Sequence, residues 1–434
     1  MKHLKLRNRN GRMKSMAARR AGWISITLLF LLGLFLGTSN GLAAEPEVLG
    51  QKLSGSVEVG GRSVAGNTDS SKFNEYRDLK SAPFIDELKL NLDSKDGKRY
   101  FEFRTTDPAY RDQNYKLSLG SYNLYDVQFE FDQTPHVLSN TASTSYRYQG
   151  NGVFTLENSR NGRVGAAGSG PLAARNTEGI DVSLDRWTGK FGFRYTPVPE
   201  WEFRLGFSSE RQEGGRPMGL VVGSPGGSLT EVLEPIQYWT HGLSASAEYA
   251  REKYNLKFSY DLSLFRNDLD SVTWDYHLEA APVVRAALYP DNQAHRFSLS
   301  GGIHLPMKSR FVGTVSYSLM RQDQDLLPYT INSAIATPNG LPRSSADARA
   351  NNFLLNLVLT NQAIRNLGLK AHFRYFNREN NTPSDRFFTV RSDSAAQSAT
   401  GFLSNPQSFH DQSMELEGDW HLLRWATWKL AVER

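Results

Sequence analysis

The sequence contains no cysteine among its 434 residues. A chain without cysteine forms no disulfide, offers no thiolate to a metal and cannot attach a c-type haem, which needs a Cys-x-x-Cys-His motif. The nine histidines are scattered, and none falls in a spacing typical of metal ligands. We therefore expect no metal and no cofactor in this chain.

Motifs of catalysis are missing as well. There is no Gly-x-Ser-x-Gly nucleophile elbow, and the glycine-rich residues 165–170 lack the Lys-Ser/Thr of a phosphate loop. The carboxylates of residues 267–270 and Asp275 lack the ligand count and the glycine of a calcium loop, so we expect a solvated loop there. The sequence predicts no catalytic residue, and we do not expect an enzyme.

Long apolar runs are confined to the start of the chain. Residues 1–43 hold eight Lys and Arg, then the apolar residues 23–36, then small residues before Ala43. This pattern predicts a signal peptide cleaved after Ala43 or Ala44, with Met13 and Met16 as alternative starts. An uncleaved anchor helix is the other interpretation, which the short apolar run disfavours.

The basic charge of the chain belongs to this leader. Without residues 1–43 there remain 42 Lys and Arg against 45 Asp and Glu, a net charge of −3. A nucleic-acid partner would require clustered basic residues on the mature protein. We therefore expect none.

What the sequence does contain is a recurrent alternation of apolar and polar residues with period 2. Residues 125–132 show it clearly, and later segments repeat it around turns at 197–199, 251–253 and 306–309. The mean hydropathy is only −0.48, with 12% aromatic residues. Such values are typical of transmembrane β-barrels, whose strands face lipid on one side and a polar lumen on the other.

Short turns alternate with long polar segments, as expected for periplasmic turns and external loops of a barrel. The long segments are 133–180, 209–238, 266–293, 322–350 and 377–410. Aromatic residues near strand ends suggest membrane girdles; they are Tyr195, Trp201, Tyr249, Tyr254, Tyr317, Tyr375, Trp420 and Trp428. The alternative is a soluble sandwich or propeller, whose loops would be more even and whose aromatics would fill a core.

The sequence thus predicts an all-β fold, a large antiparallel outer-membrane β-barrel. We expect a signal peptide at 1–43, an N-terminal periplasmic or plug segment at 44–86, and barrel strands with extracellular loops at 87–434. About fourteen strands follow from Leu88, and the last alternation stops at Arg434 without an aromatic end. A lumen for a folded protein would need more than about twenty strands. We therefore expect the barrel to be incomplete at its C-terminus.

The alternation also predicts which side chains face lipid. Phe129, Phe203, Phe258 and Val315 should point outward, and Glu130, Arg204, Lys257 and Thr314 should point to the lumen. One segment is denser in mixed charge and aromatics than a strand requires: residues 60–62 followed by 69–78. It could form a plug or docking surface, or a solvated periplasmic arm.

The same segment carries a family resemblance. Gly-Ser-Val-Glu-Val-Gly-Gly-Arg at 55–62 and Ser-Lys-Phe-Asn-Glu-Tyr-Arg-Asp-Leu at 71–79 resemble the N-terminal motif of the MtrB/PioB family of decahaem-cytochrome-associated outer-membrane proteins. Further similar runs lie at 110–115, 131–136, 210–217, 234–241, 267–275, 290–295 and 305–308. Two features differ from the family: some members carry a Cys-x-x-Cys pair near the mature N-terminus, and family barrels are longer.

The resemblance implies a barrel in the outer membrane of a Gram-negative bacterium that sheathes a periplasmic multihaem c-type cytochrome. Haem would be carried by that partner, and a cell-surface cytochrome and outer-membrane lipid are further implied partners. It also implies that nine residues contact the cytochrome at the periplasmic mouth; they are Gly60, Gly61, Arg62, Lys72, Phe73, Asn74, Glu75, Tyr76 and Arg77. The alternatives are a diffusive porin or substrate channel, and a barrel whose loops bind at the surface.

Overall fold

The computed structural model describes residues 47–48, 50–66, 70–77, 79, 81–156, 178–222, 228–275, 283–390, 396–423 and 426–433. The expected signal peptide and the glycine-rich residues 165–170 lie outside the described residues. No helix in the described ranges is long and apolar enough to cross a membrane.

The described residues form β-strands that follow one another along the chain. They are β1 (Glu47–Val48), β2 (Gln51–Arg62), β3 (Ala82–Ser94), β4 (Arg99–Thr106), β5 (Asn114–Ser121), β6 (Tyr125–Thr144), β7 (Tyr146–Gly150), β8 (Val153–Leu156), β9 (Glu178–Val198), β10 (Trp201–Val222), β11 (Ser228–Arg251), β12 (Tyr254–Asn267), β13 (Ser271–Asp275), β14 (Val283–Ala287), β15 (Asn292–Leu305), β16 (Ser309–Gln322), β17 (Ala348–Asn361), β18 (Leu367–Asn380), β19 (Arg386–Phe387), β20 (Phe402–Leu403), β21 (Phe409–Leu423) and β22 (Ala426–Glu433).

Sixteen of these strands form one large sheet. Its order is β1-β2-β3-β4-β5-β6-β9-β10-β11-β12-β15-β16-β17-β18-β21-β22, so each member pairs with the next member along the chain. All these pairings are antiparallel; from β3 onward the sheet has fourteen strands, as the alternation predicts. Among the described residues, β22 pairs only with β21, and neither β1 nor β2 pairs with it.

The hairpins form where the sequence predicts them. β9 ends at Val198 and β10 begins at Trp201. β11 and β12 are joined tightly, with Arg251 directly opposite Tyr254. Local turn chemistry and alternation set these registers, because a one-residue slip would move every apolar side chain to the polar face.

The apolar face of the large sheet is exposed, as expected for a surface that contacts lipid. Phe129, Phe203, Phe258 and Val315 are 48, 38, 49 and 40% exposed. Their charged and polar neighbours alternate with them on the opposite face, which we call the polar face. A soluble sandwich would bury these apolar side chains in a core. The exposed apolar face therefore disagrees with a soluble sandwich and agrees with a membrane barrel.

Several strands are longer than a bilayer crossing requires. β6, β9, β10 and β11 have 20, 21, 22 and 24 residues, whereas about ten residues cross the bilayer. Residues 209–238 were expected to form a long loop, and this expectation is wrong for most of that range because β10 and β11 remain paired from Trp201–Tyr249 to Val222–Ser228. Backbone pairing continues beyond the membrane because the hairpin satisfies its own hydrogen bonds there.

The large sheet also includes part of the N-terminal segment 44–86. β2 pairs with β3 from Gln51 opposite Ser94 to Arg62 opposite Ala82. β2 ends at Arg62 and β3 begins at Ala82, both at the end of the sheet opposite the short turn 95–98. These strand ends therefore lie at the same end as the long loops.

Candidate functional site

The polar face is the surface that a barrel presents to its lumen, and its charges are paired across strands. The Glu130 carboxylate on β6 lies 3.8 Å from the Lys116 ammonium on β5 and 3.5 Å from the Lys190 ammonium on β9. Glu87 on β3 likewise contacts both Lys89 and Arg104. Each carboxylate is shared by two cations. Glu130 lies directly opposite both of its partners, whereas Glu87 reaches Lys89 along its own strand and Arg104 diagonally on the next.

The same face changes character along the sheet. Across β11, β12, β15 and β16 it carries a row of serines, of which Ser298 and Ser316 are hydrogen-bonded at 3.0 Å. On β18, Lys370 again contacts two carboxylates, Glu415 at 3.4 Å and Glu417 at 3.1 Å. The strands with the serines also carry ion pairs, Lys257 with Glu248 at 3.9 Å and Arg296 with Asp261 at 3.0 Å. The polar face therefore combines ion pairs with small hydroxyl side chains, a surface compatible with water or with a polar protein.

Two of the predicted site residues, Gly60 and Arg62, contact the same aromatic ring, that of Phe84. A Cβ atom at Gly60 would lie 2.7 Å from Cζ of Phe84, so a larger residue here would require this ring to move. The Arg62 guanidinium carbon lies 4.2 Å from the Phe84 ring centroid, a cation–π contact. A Cβ at Gly61 would meet no atom within 4 Å.

The predicted site residues from Lys72 to Arg77 form a turn. The backbone N–H of Asn74 donates to the Ser70 carbonyl at 3.1 Å, and that of Arg77 donates to the Asn74 carbonyl at 3.5 Å. The Lys72 ammonium lies 2.5 Å from a Glu75 carboxylate oxygen. This hydrogen bond holds the pKa of the Glu75 carboxyl below its ordinary value. Phe73 is half-buried.

This turn is attached to β6. The Val137 N–H donates to the Glu75 carbonyl at 2.8 Å. His136 Nε2 lies 3.7 Å from a Glu75 carboxylate oxygen, and its imidazole stacks on the Tyr76 ring with centroids 4.6 Å apart. Sequence reasoning did not identify His136 as the partner, although it ends the similar run at 131–136.

The structure brings the nine predicted residues to one end of the sheet. That end carries the long loops, whereas the resemblance implies the periplasmic mouth. Short turns are periplasmic in outer-membrane barrels. The topology therefore favours the extracellular end for Gly60, Gly61, Arg62 and the turn from Lys72 to Arg77.

Other runs that carry the resemblance also meet in space. Side-chain hydrogen bonds join Gln113 to Gln133 at 2.8 Å and Arg216 to Glu234 at 2.6 Å. The Asn267 N–H donates to the Asp291 carboxylate at 2.7 Å. Asn267, Leu269, Val272 and Trp274 are buried, so residues 267–275 belong to a packed structure and not to a loop. The Asp268 and Asp270 side chains of this segment are solvent-exposed, as we expected.

Most of the chain matches one family of outer-membrane proteins. Residues 66–434 match the family model described as "Putative outer membrane beta-barrel porin, MtrB/PioB". The chain belongs to the MtrB/PioB family. This membership confirms the resemblance and identifies an outer-membrane β-barrel protein of a porin-like family, not of an enzyme family.

A curated relative of this MtrB/PioB chain is outer membrane protein MtrB of Shewanella baltica. The two are 23% identical over 282 residues, which cover 63% of this chain and 39% of the relative. The matched region thus spans about two fifths of the length of the curated relative.

Solved outer-membrane proteins show weaker likeness. OmpT of Vibrio cholerae is 9% identical, with 89% of this chain and all of OmpT covered, at a TM-score of 0.28. The siderophore receptor PirA of Acinetobacter baumannii is 8% identical, with 85% of this chain and 60% of PirA covered, at a TM-score of 0.35. Both TM-scores are low, and the family assignment does not rest on them.

Proposed function

We propose that this MtrB/PioB chain is the wall of an electron conduit: it sheathes a periplasmic multihaem c-type cytochrome, so that electrons cross the outer membrane through the partner's haems. The observation that carries the proposal is the family match over residues 66–434. The chain's own contribution is structural, because it lacks the cysteines that attach a c-type haem.

The two faces of the large sheet support this role. A bilayer excludes a polar redox protein, and a barrel supplies an apolar exterior with a polar interior. The shared ion pairs of Glu130 and Lys370 fix the charged side chains against the wall. Such a surface can lie beside a polar protein without leaving many unpaired charges at the contact.

The nine predicted residues are then proposed as a partner contact at the loop end. Lys72, Tyr76 and Arg77 are exposed there, while Glu75 holds the turn to β6. This position fits the outer tip of the lumenal cytochrome or a cell-surface cytochrome that exchanges electrons with it. Cross-linking from Arg77 would identify which of the two it contacts.

The alternative is a diffusive porin, a term that the description of the matched family includes. Purification from the native membrane separates the two functions. A sheath should co-purify with a haem-staining protein and pass no small sugars in liposome swelling while that partner is bound. Sugar flux from preparations that never contain haem would favour the porin.

A further inference from the structure

A second folded unit lies at the loop end of the sheet. β7, β8, β13 and β14 form a four-stranded sheet, which we call the cap. Two separate loops supply it, and they join through parallel pairing of Val153 with Thr273 and Phe154 with Trp274. The Tyr146 hydroxyl also donates to the Asp275 carbonyl at 3.1 Å.

The cap has a hydrophobic core of its own. Phe154, Val272, Trp274 and Val284 are buried, and they pack in one cluster with buried residues of the large sheet. Protein cores of this kind are close-packed and exclude water. The cap is therefore a compact folded unit that packs against the strands of the large sheet, which we call the wall.

Strand register shows which face of the wall the cap covers. Met218 on β10 and Val232 on β11 are directly opposite each other and belong to the cluster. Leu233 also belongs to the cluster, although it lies on the other face of β11. Arg204 and Glu248 lie on the polar face of the same strands, an even number of residues away, and the β10–β11 register has no shift between. Because side chains alternate with period 2, Met218 and Val232 share that polar face. The cap thus packs on the lumen side of the wall.

The cap is also tied to the next loop along the sheet. The Arg285 side chain donates to the Pro328 carbonyl. The Asp291 N–H donates to the Gln324 side-chain oxygen at 2.8 Å, and Gln324 in turn hydrogen-bonds Asp270. These hydrogen bonds attach the cap to the loop between β16 and β17, in addition to its packing on the wall.

We propose that the cap narrows the loop-side mouth of the lumen and limits the size of solute that enters through it. A packed body on the inner face of β9 to β11 reduces the cross-section that the strands alone would leave open. This function goes beyond the electron conduit and concerns the lumen when no cytochrome occupies it.

The absence of cysteine permits a direct test. Ser246→Cys would place a single thiol on the polar face, near the short turns. Intact cells that lack the lumenal partner would be treated with a small impermeant maleimide or with a large PEG-maleimide. Trp274→Ala removes the centre of the cap core, and Thr273→Ala is the matched control because its side chain is on the other face of the same strand.

Both cap variants would be made in the Ser246→Cys chain. We expect the large reagent to label the introduced thiol several-fold faster with Trp274→Ala than with Thr273→Ala, and the small reagent to label both equally. Trp274→Phe should restore slow labelling. Val284→Ala, a milder change in the same core, serves if Trp274→Ala is not inserted. Labelling at exposed Ala336→Cys reports insertion. Equal rates with the large reagent in all inserted variants would overturn the proposal.

Discussion

The ring of Tyr76 stacks on the imidazole of His136, with the centroids 4.6 Å apart and the planes at 21°. This contact, with the Glu75–Val137 hydrogen bond, attaches the N-terminal turn to β6. Residues 75–76 and 136–137, which are distant in sequence, thereby meet at the loop end.

Docking of this turn should depend on pH. The pKa of Glu75 is below its ordinary value of 4.5, chiefly because Lys72 donates a hydrogen bond to the carboxylate. A lowered pKa in the folded state gives stability above the ordinary pKa that is lost as the pH falls through the folded-state value. We expect hydrogen exchange at the Val137 amide, corrected for intrinsic rate, to accelerate below about pH 4.5.

The matched variants are Glu75→Gln and Glu58→Gln. The first should abolish the pH dependence of exchange, and the second should retain it. If the corrected exchange rate at the Val137 amide of the unmodified chain stayed constant down to strongly acidic pH, Glu75 would not hold the turn on β6.

A charge on the apolar face should be costly. Phe258→Arg places a guanidinium against lipid, at a cost of about 2 to 4 kcal/mol near the bilayer centre. Ser259→Arg is the control, because it places the same group on the polar face between Ser246 and Ser298. Denaturant unfolding from lipid vesicles would give both free energies. Equal losses for the two variants would mean that the faces are wrongly assigned.

Glu130 should influence ion selectivity. Glu130→Gln leaves Lys116 and Lys190 without their shared carboxylate, so the lumen wall becomes more positive. We expect the reversal potential in a salt gradient across a planar bilayer to move toward anion selectivity. Phe129→Leu, on the other face, should leave the potential unchanged. If Phe129→Leu shifted the reversal potential by the same amount, the effect of Glu130→Gln would not come from a charge that lines the ion path.

The loop-end extension of the sheet should depend on Arg216. Its guanidinium donates to buried Glu234 at 2.6 and 3.2 Å, and the Tyr238 hydroxyl donates to the same carboxylate at 3.0 Å. Arg216→Met leaves the carboxylate buried without a cation, which costs about 1 to 3 kcal/mol.

The comparison for Arg216→Met is Arg204→Met, which breaks an exposed ion pair with Glu202 worth about 0 to 1 kcal/mol. Urea unfolding in detergent micelles would rank the two variants. A larger loss for Arg204→Met would contradict the proposed importance of the buried pair.

The fold was largely predictable from the sequence because its rules are local. Alternation at Phe203 or Phe258 reports the face of a strand directly, and the residues around Arg251 and Tyr254 specify a tight hairpin. The aromatic girdle was also visible, since Trp201 and Tyr249 end adjacent strands and their rings lie 4.9 Å apart.

The remaining structure depends on non-local contacts. Nothing near Val153 indicates that it pairs with Thr273, so the cap could not be predicted. The glycines, Pro217 and charges of 210–217 hide the continuation of β10 beyond the membrane. For Glu75 and Tyr76, composition left open a plug or docking surface and a solvated arm, and their partner His136 could be identified only from the structure.

Electron transfer through a proteoliposome membrane tests the proposed function most directly. Vesicles that enclose a redox dye would be prepared with this chain alone, with the multihaem partner alone, and with both, and then given an external reductant. If the chain sheathes the partner, the dye is reduced only when both proteins are present, and the purified chain shows no haem absorbance. Dye reduction by the chain alone, or equal rates with the partner alone, would contradict the conduit.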